Sequence, residues 1–248
     1  MSKILLYSCV FFNEKYINLL ELLLKTYILH GKPTSDIDYL VLTNPSFEKR
    51  ITSIFNKYTV KGHIWCLNLT TMFEATYARL KIFDFKDISN YSKILYLDTD
   101  ILITNNIENI LNFDLENKLY VLKEGNTSHE DWGKNLFRDN NPNLDAFTSG
   151  IMLFNNCNLI KKEFFTILKH IEEDIQNKVN IPSTYEQPYI IYHFIKDELY
   201  NNSKLINIAI NNPKKLNNET ICHFPEKVGL YESKIDKMKE FFNTYMFL

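Results

Sequence analysis

The sequence is poor in glycine, with 6 residues in 248. Neither G-x-G-x-x-G nor G-x-x-x-x-G-K-[ST] occurs, which excludes the phosphate sites that are built on glycine-rich loops. A charge excess is also missing, because 28 Lys and Arg face 30 Asp and Glu and the net charge is -2. This balance argues against nucleic-acid binding through a broad basic surface. No segment reaches the roughly 20 apolar residues of a membrane-spanning helix, so no span is predicted.

Cysteines are few, and no C-x-x-C motif occurs in the sequence. Each of the four cysteines lies in an apolar stretch, so we predict buried free thiols. Reduced thiols favour a cytoplasmic protein. The apolar segment 3–10 has no small-residue cleavage site after it, and it is predicted as a first strand instead of a signal peptide. The cysteines are Cys9, Cys66, Cys157 and Cys222.

Short apolar runs alternate with segments of helical period along the first half of the chain. The runs predict strands at 3–10, 38–43, 62–69 and 93–98, and the segments between them predict helices at 13–31, 45–58 and 71–85. This βα alternation predicts an α/β fold with a doubly wound, mostly parallel sheet flanked by helices.

The second half has a less regular pattern. It predicts strands at 118–124, 149–155 and 220–224, and helices at 159–178, 184–195 and 232–247. The polar segment 125–147 is predicted as loops or a lid over a site. We find no repeat and no linker, so residues 1–248 are predicted to form a single domain.

Two carboxylates, Asp98 and Asp100, interrupt the most apolar stretch of the chain, ILYLDTDILIT at 94–104. In doubly wound sheets, ligands bind beyond the carboxyl ends of the strands, where Asp98 is predicted to lie. In extended chain, residues two apart share one face, and two close carboxylates repel unless a cation joins them. Mg²⁺ or Mn²⁺ suits such oxygens, and Mg²⁺ commonly links one or two carboxylates to substrate phosphates. The alternative, a turn in which both aspartates cap the next element, stays open.

Two known families place D-x-D after an apolar strand. In the haloacid-dehalogenase phosphatases the motif is D-x-D-x followed by Thr or Val, and it lies on the first strand. Here Leu102 stands at the Thr or Val position, and the motif begins at Asp98, at the end of the predicted fourth strand. The sequence resembles more closely the family 8 glycosyltransferases of the GT-A fold, which include glycogenin. The resemblance covers nearly the whole chain and rests on six segments in order: YSCVFFNEKYINLLELLL, TYARLKIFDF, YSKILYLDTDILI, DAFTSGIMLFN, TYEQPYI and ICHF.

The resemblance implies a set of site residues. It implies a metal ion, Mn²⁺ or Mg²⁺, held by Asp98, Asp100 and His223, and a UDP-sugar donor, with UDP-glucose favoured. It implies catalytic roles for Glu186, Gln187 and Arg79. The residues expected to bind the nucleotide-sugar are Val10, Asn13, Tyr16, Arg79, Leu97, Asp98, Thr99, Asp100, Thr148, Ser149, Gly150, Glu186, Gln187, His223 and Lys227.

The implied reaction is transfer of glucose or galactose to a glycan or protein acceptor, with retention of configuration at the anomeric carbon. Self-glucosylation, in which the protein is its own acceptor as in glycogenin, is one form of this reaction. Either Glu186 acts as a nucleophile in a double displacement, or the acceptor attacks from the face that the diphosphate leaves. A homodimer is left open.

The sequence departs from the family pattern in several places. Thr148 replaces an Asn and Glu186 replaces an Asp. Gly229 stands at the position of a phosphate-contacting Lys, for which Lys227 is the candidate substitute. These departures motivate the alternative of a sugar-nucleotide binding protein with weakened catalysis. The third alternative is the dehalogenase-type phosphatase.

Overall fold

The computed structural model describes residues 3–138, 142–225 and 231–246. Its strands are β1 (Lys3–Val10), β2 (Ile37–Thr43), β3 (Gly62–Cys66), β4 (Tyr91–Leu97), β5 (Ile101–Ile103), β6 (Leu119–Asn126), β7 (Asp145–Asn155), β8 (Tyr200–Asn201), β9 (Ala209–Asn211) and β10 (Ile221–His223). Its α-helices are α1 (Lys15–Thr26), α2 (Glu48–Tyr58), α3 (Met72–Tyr77), α4 (Glu108–Leu111), α5 (Lys134–Phe137), α6 (Asn158–Gln176), α7 (Gln187–Lys196) and α8 (Tyr231–Tyr245). A π-helical turn, Tyr27–Gly31, extends α1, and 3₁₀ helices lie at Pro45–Phe47, Ala78–Asp84, Ile88–Asn90 and Glu130–Trp132.

Seven strands form the central sheet in the order β3-β2-β1-β4-β7-β6-β8. The first four in that order are parallel, β7 is antiparallel to both β4 and β6, and β8 is parallel to β6. All seven residues of β2 are buried, as expected of a strand in a sheet covered on both faces. The prediction of a doubly wound, mostly parallel sheet is confirmed.

A second sheet has three strands in the order β5-β10-β9. Three residues separate the end of β4 from the start of β5, so the chain passes from the central sheet to the small one across residues 98–100. β10 pairs antiparallel with β5 and places His223 opposite Ile101. The backbone N–H of Phe224 then donates to the carbonyl of Asp100 at 2.9 Å. This pairing carries a late segment of the chain to the aspartates.

The helix α8 packs on the small sheet and on α1 through an apolar cluster. Burying each large side chain of this kind stabilises the fold by roughly 1.5–3 kcal/mol. An ion pair between Lys15 and Glu232 joins the start of α1 to the first turn of α8. The cluster fixes where the first turn of α8 lies. Its buried residues are Leu19, Leu22, Leu102, Cys222, Phe224, Met238, Phe241, Phe242 and Met246.

Asp38 is a charged residue inside β2 and is 1% exposed. Its carboxylate lies 2.8 Å from Nζ of Lys61 and 3.2 Å from Nζ of Lys3, and it accepts a hydrogen bond from Tyr91 at 3.0 Å. Burial alone would raise the pKa of Asp38, but these donors together hold it below its usual value. The pairing lets a carboxylate occupy a buried strand position.

Three expectations from the sequence need correction. The third strand ends at Cys66 instead of residue 69, because its neighbour in the sheet, β2, ends at Thr43, which pairs with Cys66. The segment 125–147 is not only loops, since β6 runs into it, α5 lies within it and β7 begins in it. All four thiols are free, but only Cys222 is buried, because the other three lie at or near the ends of elements and are partly exposed.

Within the described ranges, no helix combines the length and the apolar composition needed to cross a bilayer.

Candidate active site

The two aspartates lie at a bend between the sheets. β4 ends at Leu97, and the N–H of Asp98 donates to the carbonyl of Gly150 in β7 at 2.8 Å. The chain bends at Thr99 and Asp100 instead of continuing as a strand, so the expectation that strand alternation aligns the two carboxylates is wrong. The bend, together with the pairing of β10 on β5, brings Asp98 and Asp100 to His223. One ligand atom from each lies within 4.8 Å of the others.

The donor set of this cluster fits a divalent cation. Asp100 is 5% exposed, and its Oδ1 has no hydrogen-bond partner although Nε2 of His223 is 3.3 Å away. Nδ1 of His223 lies 2.8 Å from Oδ1 of Asn211, an acceptor that favours the proton on Nδ1 and leaves Nε2 for a ligand. A buried oxygen without a donor is costly, and a hard cation would satisfy it. The three residues could therefore hold Mn²⁺ or Mg²⁺.

Gly150 leaves no room for a side chain between β7 and two of these residues. A Cβ added there would be 2.7 Å from Cε1 of His223 and 2.8 Å from Oδ2 of Asp98. Real Cβ atoms do not approach other atoms this closely, so the absence of a side chain is what allows β7 to pass beside the cluster. Gly150 is thus a steric requirement of the cluster and not a conformational one.

Arg79 joins three segments at the edge of the cluster. It lies in the 3₁₀ helix Ala78–Asp84, and its side chain is 12% exposed. Nη2 is 3.2 Å from Oδ1 of Asp98, and Nε is 3.2 Å from Oε1 of Glu186. Nη1 donates to the carbonyl of Ser149 at 3.0 Å, and the guanidinium lies over the ring of Tyr96 at 4.5 Å. The planar fork of arginine allows these simultaneous contacts, which lysine could not make.

Glu186 and Gln187 lie at the start of α7, and both contact residues of the site. Glu186 is 4% exposed, and burial raises its pKa although Arg79 opposes the rise. Oε1 of Gln187 accepts from the backbone N–H of Ser149 at 3.0 Å and from its hydroxyl at 3.2 Å. Oγ1 of Thr148 accepts from the N–H of Gly150 at 3.1 Å. The start of α7 and the middle of β7 therefore form one polar network.

Three residues of the site carry no signal in the sequence. Nζ of Lys234, in the first turn of α8, donates to Oδ2 of Asp100 at 2.6 Å. Burial alone would raise the pKa of Asp100, but Lys234 and His223 hold it far below its usual value. Glu124 of β6 lies by Asn211 and His223, and burial raises its pKa. Tertiary contacts bring Lys234, Glu124 and Asn211 to the site, and no local sequence pattern predicts these contacts.

The remaining residues predicted to bind the nucleotide-sugar differ in how deeply they are buried. Val10 and Leu97 are fully buried at the ends of β1 and β4, and Thr99 is 5% exposed in the bend. Oδ1 of Asn13 accepts from the N–H of Lys15, so this side chain supports the start of α1.

Tyr16 is half-buried and packs against two apolar clusters of the core. Lys227 lies outside the described residues. The structure thus brings together the aspartates, His223, Arg79 and the Glu186–Gln187 pair, while Asn13 supports the start of α1 and Tyr16 packs on the core.

A sequence profile described as Glycosyl transferase family 8 matches residues 13–228. No curated protein sequence matches the chain at a significant level. The bifunctional glycosyltransferase WbbM, in its apo structure, is similar over 99% of this chain and 52% of its own, with 16% identity and a TM-score of 0.66. Apo GlyE of Streptococcus pneumoniae TIGR4 is similar over 96% of this chain and 60% of its own, with 18% identity and a TM-score of 0.60.

The galactosyltransferase LgtC, in complex with donor and acceptor sugar analogues, is similar over 96% of both chains, with 15% identity and a TM-score of 0.63. The chain therefore spans about half of WbbM and three-fifths of GlyE, but nearly all of LgtC. Likeness at these identities shows the fold, which is the GT-A architecture of a mixed sheet flanked by helices.

Proposed function

The chain belongs to glycosyl transferase family 8, and on that premise we propose that it is a metal-dependent hexosyltransferase. Its proposed donor is a UDP-sugar, UDP-glucose or UDP-galactose, and the sugar is transferred with retention to a glycan or protein acceptor. The family match sets aside the dehalogenase-type phosphatase. The observation that carries the proposal is the cluster of Asp98, Asp100 and His223, in which a buried carboxylate oxygen of Asp100 has no hydrogen-bond partner.

The protein's own residues have separable roles in this proposal. Asp98, Asp100 and His223 hold the cation, and Asn211 orients His223 through its other ring nitrogen. When bound, a divalent cation supplies positive charge to the departing diphosphate. Gly150 keeps the space between the ligands free.

The stereochemical route depends on what Glu186 does. Its carboxylate is buried and lies 3.2 Å from Nε of Arg79, and Arg79 also holds Asp98. A carboxylate engaged in this way supports an orienting role more than a nucleophilic one. We therefore favour attack by the acceptor from the face that the diphosphate leaves, with Gln187 fixing Ser149 beside the sugar. Trapping of a glycosyl group on Glu186, detected by peptide mass, would refute this route.

The direct test is release of UDP from UDP-glucose or UDP-galactose with Mn²⁺. We expect release that stops on chelation of the metal and falls at least about 100-fold in Asp98→Asn and in Asp100→Asn, since each variant removes a charge from the ligand set. Asp84→Asn, at an exposed position, is the matched control and should match the wild type. Intact mass after incubation with UDP-glucose tests self-glucosylation.

The possible results separate the alternatives. Thermal stabilisation by UDP with Mn²⁺, without UDP release or transfer, would favour the sugar-nucleotide binding protein. Unchanged turnover in both aspartate variants would refute the metal role.

We also propose that residues 1–248 work as one domain in a reducing, cytoplasmic setting. The likeness to LgtC over 96% of both chains supports one domain, and four free thiols support the setting. A single cooperative unfolding transition followed by two probes, and cell fractionation, test these two statements.

A further inference from the structure

Lys234 places a positive charge against a carboxylate that is proposed to hold the metal. Its ammonium donates to Oδ2 of Asp100 at 2.6 Å, and the two side chains are 10% and 7% exposed. The other oxygen of the same carboxylate, Oδ1, faces His223 and has no hydrogen-bond partner. One oxygen of Asp100 is therefore taken by an ammonium, and the second remains for the cation.

The partner carboxylate is also compensated. Nη2 of Arg79 lies 3.2 Å from Oδ1 of Asp98, on a side chain that is 12% exposed. Each aspartate of the pair thus has its own positive partner before any metal ion arrives. A divalent cation that joins this site meets the charge of Lys234 at short range, where little water screens it. Binding of the cation alone is opposed by this repulsion.

The anchoring of α8 keeps Lys234 close to the site. Glu232, in the same turn, pairs with Lys15 of α1, and Phe241 and Met238 are buried further along the helix. The backbone of the first turn is therefore held, while the four-carbon stem of lysine can still move its ammonium by rotation. An anion bound beside Asp100 offers that ammonium a second partner, since a compact charge with three donors pairs readily with phosphate.

We propose, on the basis of the proposed function, that Lys234 makes metal binding conditional on the donor diphosphate. In the site without nucleotide, the ammonium competes with the divalent cation for Asp100. When a nucleoside diphosphate binds, its negative charge attracts the ammonium of Lys234 away from Asp100. The same negative charge then balances both the ammonium and the metal ion. The metal and the donor therefore bind as a coupled pair, and the coupling acts equally in both directions.

The test is the affinity of the whole chain for Mn²⁺, measured from the free-ion electron paramagnetic resonance signal with and without UDP. Lys234→Gln keeps a hydrogen-bond donor but removes the charge, so we expect it to bind Mn²⁺ without UDP about tenfold or more tightly than the wild type, within the usual range of coupling energies. The gain in Mn²⁺ affinity on adding UDP should shrink by the same factor. Lys234→Arg keeps the charge and should behave like the wild type, as should Lys239→Gln, at an exposed position of the same helix.

The variant comparison is decisive, because UDP itself binds Mn²⁺ and some coupling is expected at any such site. An unchanged or weaker Mn²⁺ affinity in Lys234→Gln without UDP would overturn the inference. So would a wild type that binds Mn²⁺ equally well with and without UDP, a result that does not depend on how any variant folds. A wild type that binds neither Mn²⁺ nor UDP would refute the proposed function itself.

Discussion

Replacing Gly150 by alanine is the sharpest steric test of the proposed cation site. The new methyl carbon would start 2.7 Å from Cε1 of His223 and 2.8 Å from Oδ2 of Asp98. Carbon atoms in van der Waals contact lie about 3.5–4.0 Å apart, so the imidazole must move by roughly 1 Å. A displacement of about 1 Å at a reacting centre costs roughly 100-fold in rate. We expect Gly150→Ala to lower UDP release by about that factor and to weaken Mn²⁺ binding.

The same substitution overpacks a buried region, so its effect on stability must be separated from its effect on the site. Overpacking costs about 1–3 kcal/mol in the free energy of unfolding, measured by urea titration. Gly31→Ala is the matched control, because its Cβ would lie 3.1 Å from Cγ2 of Ile103 and 3.3 Å from Cδ2 of Tyr27, neither of which is a proposed ligand. The control should lose stability but keep Mn²⁺ binding. Full UDP release and Mn²⁺ affinity in Gly150→Ala would refute the steric reasoning.

Three further predictions follow from contacts around the site and in the sheet. Arg79→Lys should lower UDP release by about 100-fold with a smaller change in KM, because lysine cannot reproduce the planar fork; equal kinetics in both proteins would contradict this. Asn211→Ala should weaken Mn²⁺ binding about 10- to 100-fold by leaving His223 unoriented, and an unaltered affinity would refute that role. Asp38→Asn should lower the free energy of unfolding by about 1–2 kcal/mol at pH 7, less than for a fully buried pair because the partner lysine Lys61 is half exposed. Since the pKa of Asp38 is depressed in the fold, its contribution is present above about pH 4 and is lost as the pH falls through the folded pKa, so urea titrations of the two proteins should converge in acid.

The central sheet could be predicted from the sequence because its strands are continuous apolar runs separated by segments of helical period. The position of Asp98 at the end of β4 followed from the same pattern. The bend at 98–100 could not be predicted, since it depends on β5 leaving β4 to pair with β10. Local sequence does not encode a pairing between strands so far apart in the chain.

The cluster around the aspartates was predictable only in part, for a related reason. His223 was expected from its family motif, and the structure brings it to the aspartates. Glu124 and Lys234 were not expected, because a half-buried glutamate in β6 and a lysine in an amphipathic helix have ordinary local patterns. Only the packing of α8 on the small sheet turns Lys234 from a surface residue into a buried partner of Asp100.

The small sheet also has a consequence for the order in which the protein is made. Chains emerge from the ribosome with the N-terminal residues first, and the strands that present Asp98 and Asp100 are complete long before β9 and β10 are synthesised. A nascent chain that stops between β7 and β9 contains both aspartates but lacks Asn211, His223 and Lys234. Its proposed cation site is missing a ligand, the residue that orients it and the ammonium that competes with the metal. Premature termination in this interval therefore gives a fragment without the complete proposed cation site, and only chains translated through α8 contain all of the residues assigned to it.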